Sequence, residues 1–251
     1  YGSIDNWKDD NIVFEAYATF DRTFAEKHRL TVMGGYSYEN YQSRSSSLAA
    51  KGFINESLGN ENLAAGDSET YSIGNGSYKT ELVSALTRIN YTFDNRFLFT
   101  FTARADGSSK FGSNNKWAFF PSGAFSWKMH EERFIRNLNV FDVLKIRASY
   151  GISGNQGISA YQTLSRYGQH KYFNGGKWVT AIGPGYQSGY TGQDGIYALW
   201  SGIPNKGLKW ETTAQVDLGL DMSFFGNRLN VTFDWYDKRT SDLLRERNIA
   251  P

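Results

Sequence analysis

The residue types that most often carry chemistry are scarce in this sequence and lie far apart. The 251 residues include no cysteine, and the three histidines, His28, His130 and His170, have no partner at the spacing of a zinc site. Asp67 and Glu69 could hold calcium, although two acids in a surface loop are more commonly just solvated. We therefore predict no metal site and no cofactor.

Motifs of the common enzyme classes are also missing. The sequence has no Gly-x-Ser-x-Gly elbow, no phosphate-binding loop ending in Lys-Ser/Thr and no dinucleotide fingerprint, so we predict that the protein is not an enzyme. A net charge of +2 with dispersed Lys and Arg predicts no nucleic-acid partner. The sequence contains no run of 18 apolar residues, so no membrane-spanning helix is predicted. Residues 1–6 lack the features of a signal peptide, and none is predicted there.

The most informative feature is instead a two-residue alternation of apolar and polar side chains over residues 208–222, which predicts a long strand with one charged face. Even positions carry Leu208, Trp210, Thr212, Ala214, Val216, Leu218, Leu220 and Met222. Odd positions carry Lys209, Glu211, Thr213, Gln215, Asp217, Gly219 and Asp221. Successive side chains of a strand point to opposite faces, and a strand of about 9–11 residues crosses a bilayer. This run predicts a barrel wall between lipid and water.

Seven further segments share the alternation. They lie at 12–21, 30–39, 83–93, 97–104, 117–129, 144–152 and 229–236. Their polar faces and that of 208–222 carry the charges of Glu15, Arg88, Arg104, Lys145, Arg147, Lys209, Glu211, Asp217, Asp221 and Asp234. An Arg or Lys that faces lipid at mid-membrane costs about 2–4 kcal/mol, so in a membrane wall these groups must face inward. The charges alone are also compatible with the solvated outer face of an ordinary soluble sheet.

The connections between these segments alternate in length. Short ones fall at 21–29, 94–96, 130–142 and 225–228, and long ones at 43–79, 106–116 and 154–207. Outer-membrane barrels combine short periplasmic turns with long extracellular loops in this order. We predict an all-β fold, an antiparallel transmembrane β-barrel, with 43–77 as a solvent-exposed loop. A mean hydropathy of -0.52 does not oppose this, because polar lumen residues dilute the lipid-facing ones.

Four blocks resemble the SusC/RagA family of TonB-linked outer-membrane transporters in order and spacing. They read RADGSSKFGSNNKWAFFPS at 104–122, LKIRASYGISGNQ at 144–156, NKGLKWETT at 205–213 and DWYDKRTSDLL at 234–244. The resemblance implies a multi-pass barrel of about 22 strands in the cell outer membrane, with a plug domain in its lumen. It also implies TonB-energised import of oligosaccharides or peptides, together with a SusD-like surface lipoprotein that covers the barrel.

The sequence covers only part of that family pattern. About eight strands are visible, with neither a plug nor a TonB-contacting segment, so residues 1–251 are predicted to be part of one barrel domain. We expect the plug and the remaining strands to lie outside this sequence. Two alternatives stay open: a passive porin-like outer-membrane channel and a soluble carbohydrate-binding β-sandwich.

Candidate ligand contacts come from the long segment 154–207, which is rich in aromatic residues and glycine. Aromatic faces stack on sugar rings, and Tyr hydroxyls can hydrogen-bond to them. We select Tyr161, Tyr172, Trp178 and Trp200 as candidate contacts to substrate or to the lipoprotein lid. The alternative, that these rings only pack the loops together, stays open.

Overall fold

The computed structural model describes residues 1–55, 59–184 and 204–245. In these ranges the chain forms ten strands. They are β1 (Gly2–Phe24), β2 (His28–Ala50), β3 (Ser72–Phe93), β4 (Phe97–Ser108), β5 (Trp117–Lys128), β6 (Val143–Asn155), β7 (Tyr167–Asn174), β8 (Lys177–Pro184), β9 (Glu211–Phe224) and β10 (Leu229–Ser241). Short 3₁₀ helices lie at Gly59–Ala65, Ser68–Thr70 and Met129–Glu131, followed by α1 (Arg133–Arg136). No helix in the described ranges is long and apolar enough to cross a membrane.

Eight of these strands form one sheet in the order β1-β2-β3-β4-β5-β6-β9-β10. The pairs β4–β5, β5–β6, β6–β9 and β9–β10 are all antiparallel. Tight turns with left-handed backbone join β1 to β2, β3 to β4 and β9 to β10, as at Asp94 and Asn95 with φ of 51° and 54°. Such turns match the twist of the strands that they connect. The eight predicted strands are therefore confirmed.

The chain divides into two compact units. The first unit comprises Tyr1–Phe14 and Tyr38–Leu82, which hold the loop-proximal halves of β1, β2 and β3. Within it, a Cβ added at Gly74 would lie 2.6 Å from Ser47 Oγ, and one at Gly76 would lie 3.0 Å from Ser45 Oγ. Glycine thus lets β3 approach the serines of β2 closely.

The prediction of a loop over 43–77 was wrong at both ends. Residues 43–50 belong to β2 and residues 72–77 to β3, so the connection covers only 51–71. The physical reason is that the strand extensions carry mostly Ser, Ala and Gly, which give no apolar alternation. Their regularity comes from backbone pairing with neighbouring strands, which side-chain patterning does not reveal.

The second unit comprises Glu15–Ser37 and Val83–Pro251, and its sheet has two chemically distinct faces. Register places Lys145 opposite Asp221 and Ser149 opposite Asp217. The intervening positions pair apolar side chains, with Ile146 opposite Leu220, Ala148 opposite Leu218 and Tyr150 opposite Val216. The alternation predicted for 144–152 and 208–222 is confirmed.

The segment 154–207 contains a feature that the sequence analysis missed, the hairpin of β7 and β8. Its strands pair from Tyr167 opposite Pro184 to Asn174 opposite Lys177. Gly175 and Gly176 form the turn with φ of 58° and 79°, a backbone region that glycine enters without steric cost. These strands escaped notice because their alternation is weak and the surrounding segment is rich in glycine.

Candidate functional site: the polar face of the sheet and its loop end

The polar face of the second unit is held together by an ion-pair network centred on Arg147. Its Nε and Nη2 donate to the two carboxylate oxygens of Asp221 at 2.8 and 2.9 Å. Nη2 also donates to Asp234 Oδ1 at 2.9 Å, which joins β6 to β10 across β9. Lys145 Nζ lies 3.8 Å from Asp221 Oδ2 and adds a second cation. Charge-assisted bonds with two carboxylates fix this guanidinium geometrically.

Gly219 makes this network possible, because it lies between Arg147 and Asp234 in the strand register. A Cβ added there would lie 2.6 Å from Arg147 Cζ and 2.7 Å from Asp234 Oδ1. Any larger residue would occupy the space through which the arginine reaches β10. The glycine on the polar side of β9 is thus part of the network rather than a weak point in the strand.

Other polar-face residues also find partners on the sheet. Asp217 accepts hydrogen bonds from Ser149 Oγ at 3.1 Å and Gln215 Nε2 at 2.7 Å. Arg104 Nε donates to both oxygens of Asp106 at 2.8 Å, and its Nη2 donates to Ser84 Oγ at 2.9 Å. Charged side chains of both signs therefore find hydrogen-bond partners along the face, as expected for a wall in contact with water.

A shallow cleft of about 370 Å³ opens on this polar face between β4 and β9. Its lining includes the hydroxyls of Thr100, Ser122 and Ser149 and the side chains of Gln215 and Asp217. Small hydroxylated residues leave space, while the amide and carboxylate supply hydrogen-bonding groups. This chemistry suits a hydrated, hydroxyl- or amide-rich molecule.

At the loop end of the sheet, three aromatic side chains form a buried cluster that we call the aromatic anchor: Phe111, Phe120 and Trp210. The ring centroids of Phe111 and Trp210 are 5.1 Å apart, and Phe120 meets Trp210 edge-on at 5.5 Å. Trp210 Nε1 donates to Lys116 O at 3.0 Å, which satisfies the buried indole. Phe111 is 1% exposed, so a loop residue is as buried here as any core residue.

Hydrogen bonds extend the aromatic anchor to both ends of the long connection between β6 and β9. Ser108 Oγ donates to Gln156 Oε1 at 2.6 Å, just after β6. Asn115 Nδ2 donates to Leu208 O at 3.2 Å, just before β9. The loop between β4 and β5 thus fixes both ends of the connection. Sequence reasoning missed this cluster, although Phe111, Phe120 and Trp210 all lie in the blocks that carry the family resemblance.

The candidate ligand residues occupy different parts of that connection. Tyr161 lies in a turn before β7, with φ of 65°. Tyr172 is an exposed residue of β7, and Trp178 lies on the paired strand β8, opposite Phe173. Tyr172 and Trp178 therefore share one hairpin, whereas Tyr161 is separate from it. Trp200 lies outside the described residues.

The residues considered for metal binding have other roles. Asp67 Oδ1 accepts the amide of Glu69 at 2.9 Å and caps the 3₁₀ helix Ser68–Thr70. His28 Nδ1 lies 2.6 Å from the Tyr91 hydroxyl, and His130 Nδ1 lies 3.1 Å from Leu144 O. The described ranges contain no group of three or more His, Cys, Asp or Glu that could hold a metal ion.

An antiparallel sheet with one apolar and one ion-paired face, short turns at one end and long loops at the other, defines a β-barrel wall of the outer-membrane type. The chain belongs to the family described as TonB dependent receptor-like, beta-barrel, whose model matches residues 1–251. The predicted resemblance is confirmed by relatives named TonB-dependent receptor and SusC, and by structural similarity to RagAB.

Relatives in two bacteria share substantial identity with the chain. TonB-dependent receptor P3 of Formosa agariphila is 39% identical over 239 residues, which cover 94% of this chain and 22% of that protein. TonB-dependent receptor SusC of Bacteroides thetaiotaomicron is 38% identical over 178 residues, 68% of this chain and 16% of that protein. The chain thus spans about a fifth of the length of these curated relatives.

Solved structures show the same backbone arrangement. The structure of the RagAB peptide transporter matches with a TM-score of 0.83 and 26% identity, covering 99% of this chain and 25% of that one. The RagAB peptide importer in the "closed-closed" state matches with a TM-score of 0.79 and 27% identity, covering 96% and 24%. The fold of a larger barrel's wall is therefore common to this chain and these transporters.

Proposed function

We propose that residues 1–251 are part of one barrel domain of an outer-membrane importer, with the apolar face toward lipid and the polar face toward the lumen. The ion-pair network of Arg147, Asp221 and Asp234, directly behind the exposed apolar side chains of the same strands, carries this proposal. Charged groups facing lipid at mid-membrane would each cost about 2–4 kcal/mol. The opposite orientation is therefore heavily disfavoured.

The imported nutrient is, in this proposal, an oligosaccharide or a peptide. The polar cleft supports this choice, because Ser, Thr and Gln side chains with the carboxylate of Asp217 can exchange hydrogen bonds with hydroxyl or amide groups. The similarity to a structure named a peptide transporter supports a peptide as the ligand. SusC is a second relative of the chain and is named a TonB-dependent receptor. Tyr161, Tyr172, Trp178 and Trp200 remain the proposed contacts to ligand or lid.

The proposed partners follow from the same family membership. A SusD-like lipoprotein would cover the loop end, where the aromatic anchor fixes both ends of the long connection. TonB would supply energy through a segment outside these residues. A partner that docks on the loops needs them held in place, and the buried Phe111 and Trp210 provide that support.

An uptake assay tests this function. Cells that express the full-length transporter would be given labelled oligosaccharide or peptide mixtures, with and without TonB. We expect uptake that requires TonB, whereas equal uptake in both strains would indicate a passive porin. Replacing Tyr172 by Ala should lower uptake, because its exposed ring is one of the proposed contacts to the ligand.

A further inference from the structure

The cleft on the polar face continues into a second depression on the side of the short turns. The two depressions have volumes of about 370 and 290 Å³, and they share the lining residues Thr100, Ala124, Ser149 and Asp217. In the strand register these four residues lie in one row across β4, β5, β6 and β9. We call this row and the space above it the Asp217 trough. Three small side chains on neighbouring strands thus leave open space beside one carboxylate.

The Asp217 trough is bounded toward the short turns and open toward the loops. On the turn side, the Arg147 guanidinium fills the space over Gly219, where an added Cβ would lie 2.6 Å from Arg147 Cζ. On the loop side, the lining reaches Ser153 and Thr213, each two residues from the end of its strand. Long loops are extracellular in outer-membrane barrels, so a ligand that enters from outside reaches this side of the trough first.

The carboxylate of Asp217 has spare capacity to accept hydrogen bonds. Its Oδ2 accepts from Ser149 Oγ at 3.1 Å and its Oδ1 from Gln215 Nε2 at 2.7 Å, and both donors are uncharged. An ionised carboxylate has about four lone-pair sites. Each oxygen can therefore accept a further donor from a ligand without losing its partner in the sheet.

The cations of the polar face leave the charge of Asp217 unpaired. Arg104, Lys145 and Arg147 form their ion pairs with other carboxylates. Lys238 is exposed on the neighbouring strand β10. In the described ranges, none of these four cations forms an ion pair with Asp217. The trough therefore carries a negative charge that a ligand can neutralise.

The hydroxyl groups of the row present acceptors to the trough, because their protons are already used within the sheet. Ser149 Oγ donates to Asp217, and Thr100 Oγ1 donates to Asn90 Oδ1 at 2.9 Å. A hydroxyl has one proton and two lone pairs, so both oxygens can still accept. The complementary ligand group is one with several N–H donors and a positive charge. A primary ammonium has three donors and no acceptor, whereas a sugar hydroxyl has one donor and no charge.

Resting on the proposed import function, we infer that the Asp217 trough binds a primary ammonium group of an imported peptide. The ammonium donates to Asp217 and to Ser149 Oγ. Thr100 lies three strands from Asp217, which is about 14 Å at about 4.8 Å per strand. An extended chain of about four residues covers that distance at about 3.3 Å per residue, so a backbone N–H of the same peptide can reach Thr100. Ala124 leaves room for the peptide in between.

Selective retention of peptides tests this subsite. A protein digest would be divided, and the amines of one half would be acetylated, which removes the charge of the N-terminus and of lysine. We expect the full-length transporter to retain free-amine peptides at least about threefold more than acetylated ones, as for one partly exposed ion pair. Asp217→Asn should abolish the difference, because the amide has the same size and no charge. The comparison of the two halves on the unmodified transporter needs no variant to fold.

Two synthetic sets separate the sources of the ammonium. Lysine-free peptides with a free N-terminus test the terminal amine, and N-acetylated peptides that contain lysine test the side chain. Retention of at least one set should depend on Asp217. Asp217-dependent retention of chitosan fragments without retention of either peptide set would contradict the peptide as the source of the ammonium.

Glu15→Gln is the matched control, because Glu15 is a carboxylate of the polar face that does not line the trough. It should leave the preference for free amines unchanged. Equal retention of the two halves, or a preference that survives Asp217→Asn or is lost in Glu15→Gln, would overturn the subsite. TonB-dependent uptake would still support import in those cases. Uptake that is equal with and without TonB would instead contradict the proposed function, whichever peptides are retained.

Discussion

Asp217 and Leu218 are adjacent on β9, yet their side chains have opposite surroundings. Asp217 accepts hydrogen bonds from Ser149 and Gln215, so its carboxylate has donors within the sheet. Leu218 is 49% exposed and lies on a face whose neighbours are apolar. The comparison shows that the polar face satisfies its groups internally, whereas the apolar face depends on what covers it. A wall between two solvents needs both arrangements on each strand.

The largest effect should come from placing a charge on the apolar face. Leu218→Arg should destabilise the inserted barrel by about 2–4 kcal/mol, because the cation would face lipid. Asp217→Arg should cost less, because its side chain faces water. Refolding of both full-length variants into lipid vesicles measures the difference. Equal losses of stability in the two variants would contradict the assignment of the two faces.

Loss of the central arginine should have the next largest effect. Arg147→Met leaves Asp234 without its guanidinium partner and should destabilise the barrel by about 1–3 kcal/mol. The lower end of this range is expected, because the arginine side chain is 35% exposed. Arg88→Met is the control, since Arg88 Nε donates to an uncharged group, the hydroxyl of Thr102, at 3.4 Å. Unfolding by denaturant in detergent should separate the variants, and similar losses would contradict the network's role.

A smaller effect should follow from a single methyl group at Gly219. Gly219→Ala should displace the Arg147 guanidinium and cost about 1 kcal/mol, the net value of a typical hydrogen bond. In the Arg147→Met background the same substitution should have little further effect, because the displaced group is already absent. A double-mutant cycle on stability measures this coupling. Additive losses would show that the glycine acts independently of the ion pairs.

The smallest effect concerns pH at the loop end of β9. The amide of Leu244 and the side chain of Asn155 donate to Glu211 and lower its pKa below the ordinary value. A lowered folded-state pKa means that this stabilisation is present above the ordinary Glu pKa and is lost as pH falls through the lowered one. Protection of the Leu244 amide, corrected for intrinsic exchange, should therefore decrease on acidification. Glu211→Gln should remove that pH dependence, and an unchanged dependence would argue against this contact.

The strands in the expected membrane region were predictable because burial by lipid imposes a strict chemical alternation. Residues 144–152 and 208–222 show it clearly, and their register agrees with the prediction. The extension of β2 over 43–50 was not predictable in this way, because its residues, mostly Ser and Ala, show no contrast between faces. Where both faces of a strand contact water, the apolar–polar alternation from which a strand is predicted is absent.

The candidate site was predictable only in part, for a related reason. The charged side chains of the polar face could be recognised, but their pairing through Gly219 depends on strand register, which adjacent sequence does not give. The aromatic anchor joins Phe111 to Trp210 across 98 intervening residues, so it is visible only in three dimensions. The hairpin of β7 and β8 carries Tyr172 and Trp178, and their role in ligand contact remains a prediction.

The central claim, that one face of each strand contacts lipid and the other contacts water, can be measured residue by residue. Spin labels placed singly at positions 214–222 of the full-length transporter in lipid vesicles would report accessibility to oxygen and to a water-soluble nickel complex. We expect oxygen accessibility to peak at Val216, Leu218 and Leu220, with nickel accessibility higher at Asp217, Gly219 and Asp221. Accessibility without a two-residue period, or with the two faces exchanged, would contradict the claim.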